Sequence, residues 1–303
     1  MSFGYSFRGS ALVLVLWLVA ALSLVVVAGA KGIRQQTSGI GELLGGIRAE
    51  MRLDGAIQLV AQRMLNAPDP QKGYRWMSVQ VDEEEVWVEM TPSEGLVDVS
   101  VASEALLQAL FRGAAGMSPG DAAVLASRIK DWIDPDDEPS GVGGAEAPQY
   151  RAEAWPSLPR NAPPEDFSEL RSVMGFTPEL YETIAPFLGL NGQQRIQVDS
   201  APPELIDVLS GQSGLGAKVH AASPEQRAAL LLSMETSQLF APGAGAGLRD
   251  VRLRAFIATG EDRWWQREAW ISLSPRPDTL TPWTTLLLEP VKRGLRPNKE
   301  FKP

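Results

Sequence analysis

The sequence predicts an α+β protein: a long helix near the N-terminus, an antiparallel sheet, and a mostly helical segment running between the early and late strands of that sheet. Three observations carry this. Ile40, Leu44, Ile47, Met51, Ile57, Val60 and Met64 recur mostly at three- and four-residue steps, which marks one face of an amphipathic helix. Apolar and polar residues alternate in two blocks, 77–90 and 251–273, as strands do. Between those blocks the pattern turns to short helical stretches separated by Pro- and Gly-rich loops.

With 303 residues the chain has room for one large or two modest domains with a sizeable core. A net charge of −9 argues against broad electrostatic binding to nucleic acid or anionic lipid. There is no cysteine and a single histidine, His220, which removes disulfides, thiolate chemistry and most routes to nucleophilic catalysis or a transition-metal site. The chain is therefore expected not to be an enzyme.

Taken in order, the uncharged run 10–30, SALVLVLWLVAALSLVVVAGA, is long enough to cross a bilayer as a helix, since ~20 residues match a hydrocarbon core. Three readings of it stand. Ala28-Gly29-Ala30 would serve as a signal-peptide cleavage site. Arg8 would mark the cytoplasmic side of a plain single-span anchor. The Arg8-Gly9 pair also resembles the processing site of type IV prepilin-like proteins, cut after the glycine.

The amphipathic stretch 40–65 would continue that helix. Gly39, Gly41, Gly45, Gly46 and Gly55 weaken it, so a kink or break is expected between Gly29 and Gly46, and Pro68 and Pro70 end it. Met77, Val79 and Val81, a turn at 82–85, then Val86, Val88 and Met90 spell a β-hairpin. Helices are expected at 103–111, 121–132, 167–174, 178–187, 202–209 and 224–238. There is an internal echo: VDVSVASEALLQAL at 97–110 and IQVDSAPPELIDVL at 196–209 share an apolar lead-in and a short helix. After a loop at 241–247, Val251, Leu253, Ala255 and Ile257 alternate with arginines. Trp265, Arg267, Ala269, Ile271 and Leu273 then share one strand face, opposite Trp264 and Trp270. A last strand is expected at 283–290, followed by a polar, basic, frayed tail from Lys292.

Between Asp131 and Glu182 there are 12 acids, three arginines and no lysine, and Asp134, Asp136, Asp137 and Glu138 crowd into DPDDE. Clustered carboxylates either form a solvated acidic loop or supply oxygen ligands to a hard cation such as calcium. The EF-hand pattern fails, because Pro139 stands where its glycine belongs and the downstream glutamate is displaced.

Four stretches together resemble one family: RGSALVLVLWLVAALSLV at 8–25, EGLVDVSVASEALLQAL at 94–110, DWIDPDDEPSGVGGAEAPQY at 131–150 and IQVDSAPPELIDVLSG at 196–211. Their order and spacing are similar to the minor pseudopilins of the protein K family of the bacterial type II (general) secretion system. The resemblance implies a pilin-like long N-terminal helix packed on an antiparallel sheet, with a large, mostly α-helical (SAM-like or helix-hairpin-helix-like) domain inserted into it. The divisions would be a leader at 1–9, a transmembrane part at 10–30, the first part of the pilin-like domain at 31–93, the inserted domain at 94–240, and the last strands and tail at 241–303. Cleavage would fall between Gly9 and Ser10, with N-methylation of Ser10. Calcium is implied in the acidic region, on Asp134, Asp136, Asp137 and Glu146, with Asp131 and Glu138 in reserve. Implied partners are minor pseudopilins I and J, the pseudopilus, the inner-membrane assembly platform, prepilin peptidase and the lipid bilayer. Such a protein sits in the inner membrane of a Gram-negative bacterium with its bulk in the periplasm, and acts at the pseudopilus tip in protein export. Ser100 stands where the family often has Asn, and AEAPQY lacks the extra acids often found after the glutamate.

Most pilin-like subunits carry a glutamate at the fifth mature position, where a buried carboxylate needs a partner charge from a neighbouring subunit. Here that position is Leu14, which suits a subunit with nothing above it. The second reading is a membrane-anchored helix-hairpin-helix protein of DNA uptake, since Gly214-Leu215-Gly216 would offer backbone N–H groups to a phosphate. Only Lys218 and Arg227 lie nearby, with no basic stripe, so no nucleic acid is expected as a partner. His220 reads as a surface or helix-cap residue, and Trp264, Trp265 and Trp270 as half-buried sheet packing.

Overall fold

The computed structural model describes residues 8–66, 73–232, 237–241, 249–258, 264–274 and 281–294; the side chains of 8–12 and 25–42 lie outside that description. The first helix, α1 (Arg8–Asn66), runs without a break. Of the kink or break expected between Gly29 and Gly46, the break is thus corrected: glycines weaken a helix interior, but in a helix already nucleated over many turns propagation carries across them.

The chain divides into two units, 1–52 and 53–303. The first is the N-terminal part of α1. Its apolar side chains from Val13 to Leu24, Leu14 among them, are exposed, as are Leu44, Ile47 and Met51, which the periodicity had put on one face with Ile57, Val60 and Met64. Among the described residues no helix is long and apolar enough to cross a membrane. The expected span at 10–30 falls partly outside the described side chains, and the part that is described, 13–24, is shorter than the ~20 residues a bilayer requires. Residues 1–7 of the expected leader (1–9), the prolines at 68 and 70, residues 242–247 of the expected loop (241–247) and the part of the expected tail from 295 also lie outside the described residues.

In the second unit the last turns of α1 bury Leu53, Ala56, Ile57, Val60, Ala61 and Met64, a stripe at helical spacing. A hairpin follows, β1 (Arg75–Val81) and β2 (Glu84–Pro92), in register from Arg75 opposite Met90 to Val81 opposite Glu84. The turn is tighter than the alternation suggested, because Asp82 takes a left-handed conformation (φ 55°) and lets two residues close it.

The helical part comprises α2 (Glu104–Ala115), α3 (Pro119–Ile133), α4 (Ala147–Ala152), α5 (Pro178–Ile184), β3 (Ile196–Gln197), α6 (Pro203–Ser210), α7 (Leu215–Ala221), α8 (Pro224–Leu232) and β4 (Phe240–Ala241), with β3 and β4 paired parallel. Ser103, Ser118 and Thr177 each accept a backbone N–H at a helix start, which is why α2, α3 and α5 begin where they do. The stretch expected as a helix at 167–174 is instead a 3₁₀ turn at Phe167–Ser172, and 178–187 is α5 ending in a 3₁₀ turn at Ala185–Phe187. The buried apolar residues from Val97 to Phe240 form one contiguous cluster that includes no residue of β1 or β2.

Three more elements complete the sheet: β5 (Asp250–Ala258), β6 (Trp264–Ser272) and an edge formed by β7 (Thr284–Leu288) and β8 (Lys292–Gly294), both antiparallel to β6. The strand order β1-β2-β5-β6-β7 makes β2 and β5 neighbours, so the chain leaves the sheet after Pro92 and returns beside the same strand at Asp250. The result is a mixed helix and antiparallel sheet fold. The basic tail does not fray at once: Lys292–Gly294 pair with β6 after Pro290, which has no N–H to give, interrupts the edge.

The sheet has two unlike faces. Register places Val86, Val88, Met90, Val251, Leu253, Ala255, Ala269 and Ile271 on one side. Gly55 of α1 approaches Val81 on that side, and Asp54 meets Arg267 at 2.8 Å. Glu89, Thr91, Arg252, Arg254, Glu268 and Trp270 share the other face, toward Pro186 and Phe167. There Glu89 pairs with Arg254 and accepts from the Tyr74 hydroxyl at 3.0 Å. Burial alone would raise the Glu89 carboxyl, but Arg254, by charge and hydrogen bond, outweighs it and holds the carboxyl below the usual range.

The echoed units pack on each other through α2 and α6. Their matching positions are all buried: Val97 and Ile196, Val99 and Val198, Leu106 and Leu205, Leu107 and Ile206, Leu110 and Leu209. A Cβ at Gly113 would collide with the Val208 carbonyl, so only glycine allows this crossing. Gly113→Ala should destabilise the protein by about 1–3 kcal/mol, the usual cost of overpacking, read as an earlier midpoint in urea unfolding.

Candidate metal centre

α3 carries Asp131 in its last turn and ends on Asp134, and the loop from there to Glu146 folds back over that helix end. Gly141 and Gly143 take positive φ (53° and 81°), and a Cβ at Gly144 would strike both the Ser140 carbonyl and the Asp131 carboxylate. These glycines explain why the acidic stretch is followed by SGVGG.

Asp131 is fully buried and is the hub of the loop. Its Oδ1 accepts from the Ser140 N–H at 2.8 Å and from the Ser140 hydroxyl, and its Oδ2 accepts from the Ala145 N–H at 2.6 Å. Outside the loop, Arg128 donates to the carbonyls of Gly143 (3.1 Å) and Met174 (3.0 Å). Asn161, itself left-handed, donates its side-chain amide to the Asp136 carbonyl at 3.1 Å.

The loop brings one carboxylate oxygen each of Asp131, Asp134 and Glu146 within 4.8 Å of one another. Glu146 is 1% exposed, and neither of its carboxylate oxygens has a hydrogen-bond partner, nor does Oδ1 of Asp134. Burial first, then the charges of Asp131, Asp134, Asp137 and Asp136, push the Glu146 carboxyl up to about 7. Burial, Asp136 and Asp131 likewise raise Asp134. Both Asp131 and Asp134 sit at the negative end of α3, which adds to the repulsion. A donor set of carboxylate oxygens only, with buried oxygens unpartnered, fits a hard divalent cation, which would remove the repulsion and fill the empty acceptor positions.

Of the residues predicted from sequence, Asp134 and Glu146 are brought together. Asp136 and Asp137 remain exposed on the outer part of the loop, where Asp136 Oδ1 accepts from the Glu138 N–H at 2.9 Å and Asp137 lies 3.5 Å from Asn161. Asp131, held in reserve, takes the third place in the cluster. Glu138 is exposed and outside it. Gly9 and Ser10 lie in the first turn of α1, with their side chains outside the described residues.

One comparison with known proteins falls on the segment that holds this loop. Residues 90–191 match the family model described as "Type II secretion system (T2SS), protein K". Two curated relatives, both named type II secretion system protein K, come from Klebsiella pneumoniae and Pectobacterium carotovorum subsp. carotovorum. The first is 33% identical over 84 residues, 28% of this chain and 26% of that protein; the second is 38% identical over 64 residues, 21% and 19%. The chain thus spans about a quarter or less of the length of these relatives. A crystal structure of the GspK-GspI-GspJ complex from enterotoxigenic Escherichia coli contains a chain that aligns over 86% of this one and 98% of its own, at 18% identity and a TM-score of 0.48.

Beyond the matched segment, two sequence readings change. His220 is half-buried, with Nε2 2.9 Å from the Ala201 carbonyl and its ring 5.5 Å from that of Tyr74, and burial lowers its pKa. At the glycine hairpin between α6 and α7 the N–H groups of Gly214 and Gly216 are already taken, each at 2.6 Å, by the two carboxylate oxygens of Asp207.

In protein kept free of divalent cations, Glu146→Gln should raise the unfolding temperature by relieving a buried, unpartnered charge, whereas Asp131→Asn should lower it by breaking the loop's hub. Thermal unfolding of both variants in chelator checks the opposite signs.

Proposed function

We propose that the chain is a minor pseudopilin of the type II secretion system that caps the tip of the periplasmic pseudopilus and supports its assembly and protein export across the outer membrane. The observation that carries this is the protein K match at 90–191 on the segment leaving and rejoining the sheet between β2 and β5. The pilin-like part is then α1 with the sheet, split at 31–93 and 241–303, and the helical part at 94–240 is an insertion with its own core.

In this reading 10–30 anchors the protein in the inner membrane of a Gram-negative bacterium, with the bulk in the periplasm. The leader is removed between Gly9 and Ser10 by prepilin peptidase, and Ser10 is methylated. Leu14, in place of a glutamate, leaves no buried acid needing a neighbour's amine, and the bulky insertion blocks addition above it. Minor pseudopilins I and J, the pseudopilus and the inner-membrane assembly platform are the partners. The protein has no catalytic role. Calcium held by Asp131, Asp134 and Glu146 pins the loop between α3 and α4, a structural role. Against the DNA-uptake reading stands Asp207, which occupies the amides that a phosphate would need.

Mass spectrometry of the mature N-terminus tests the reading. Ser10 carrying a methyl group is expected, and a terminus at Lys31 would sink the pseudopilin assignment in favour of a secreted protein. Leu16→Asp or Val19→Asp should abolish membrane insertion or secretion, because a charge at mid-bilayer costs ~2.5 kcal/mol or more; unchanged export in these variants would count against it.

A further inference from the structure

The sheet ends in two unlike edges. β1 is guarded: Arg75 opens the strand, and Arg63 of α1 donates to the Ser78 carbonyl at 3.3 Å. Charged side chains on an edge strand discourage another strand from pairing there. β7 ends the strand order on the other side, and among the described residues it pairs with β6 alone. Its five residues, TTLLL, carry no charge, and Leu286, Leu287 and Leu288 are 48%, 43% and 44% exposed. Register puts Leu287 on the face of Trp270 and Leu288 on the face of Ala269, so the edge is apolar toward both sides of the sheet. β8 continues along the same side of β6 and adds the exposed basic side chains of Lys292 and Arg293. Beside Leu287 lies a cleft of about 470 Å³ whose wall includes Phe167, Tyr181, Trp270 and Pro290.

An edge of this kind is completed by an added strand: main-chain hydrogen bonds supply affinity, and a pocket for an alternate side chain supplies specificity. Leu286 has no counterpart on β6, a bulge that twists the edge locally. Such a twist disfavours open-ended stacking of copies of the chain and favours one short strand from elsewhere. Antiparallel pairing is the more stable arrangement. In an antiparallel strand the residues that reach Lys292 and Arg293 precede those that meet the leucines, and charge complementarity makes them acidic.

We propose that the β7–β8 edge is a docking site for a short extended segment of another protein: an acidic start, then an uncharged apolar run that pairs antiparallel with β7 and seats an aromatic side chain in the cleft beside Leu287. The site uses no residue of the acidic loop. It does not rest on the pseudopilin reading.

The probe is an N-acetylated peptide, DEGSGVFVTVT, carrying fluorescein at its C-terminus and titrated with the full-length chain in detergent, with anisotropy as the readout. Half-saturation at roughly 100 μM or below is expected. Leu287→Lys should weaken binding by roughly tenfold or more, the scale of burying an unpaired charge, whereas Gln80→Lys on the guarded edge should leave it unchanged. Lys292→Glu combined with Arg293→Glu should weaken this peptide and strengthen one that begins KK; both side chains are exposed, so the variant folds. N-methylation of one alternating set of peptide amides should abolish binding and of the other set should spare it, the period-two signature of strand pairing. Absent binding, binding indifferent to Leu287→Lys or to the charge reversal, an equal response of the two methylated peptides, or a dimer of the chain that Leu287→Lys dissolves would each overturn the proposal.

Discussion

Three carboxylate oxygens within 4.8 Å, two of their side chains buried, set the condition on which the loop after α3 depends. Like charges so close, in a medium less polarisable than water, repel strongly enough that the loop needs either protons or a cation. Glu146 shows the first response, its carboxyl pushed up to about 7. A bound cation is the second, and it would act where the α3 dipole also favours positive charge. The remainder of the loop is arranged around this point: Asp131 gathers Ser140 and Ala145, the glycines let the backbone approach, and Arg128 and Asn161 tie the loop to Met174 and to the end of α3.

The sheet presents a second, independent constraint. One face is apolar and takes the buried stripe of α1 from Leu53 to Met64; the other is charged and lies beneath Pro186 and Phe167. A charged face can be buried only if its charges are matched. Glu89 and Arg254 match each other, while Arg252 spends one nitrogen on a carbonyl and leaves two unmet. The helical part brings its own core to this contact, where the Arg252–Pro186 hydrogen bond lies beside the Phe167–Trp270 ring pair.

Period-two alternation made β5 and β6 legible in the sequence, down to the opposition of Ile271 and Trp270, because each face of a strand meets one environment. The helix start expected at 103 was legible for the same local reason, since Ser103 caps α2, whereas α3 begins at Pro119 behind a Ser118 cap, ahead of the expected start at 121. What escaped was set by distant contacts: β3 and β4 are two residues each and exist only because they meet, and α4 and α7 are too short to show a period. In the acidic loop, the resemblance put the cation on Asp136 and Asp137 as well as Asp134 and Glu146, yet a crowd of acids in sequence does not record which way each points. Asp131 stood only in reserve, inside an expected helix, and only the glycine-led return of the chain turns Ala145 and Glu146 onto it. Arg252 was hidden similarly, since an alternating arginine reads as the solvent side of a strand until something covers it.

The central claim is that Asp131, Asp134 and Glu146 form a cation site that the loop is built around. Isothermal titration of the chelator-treated protein with calcium tests it most directly. Saturable binding that Glu146→Gln and Asp134→Asn each weaken by roughly tenfold or more, but that Glu138→Gln leaves unchanged, is the predicted result. Absence of calcium and magnesium binding by the wild-type chain, or binding indifferent to Glu146, would contradict the account.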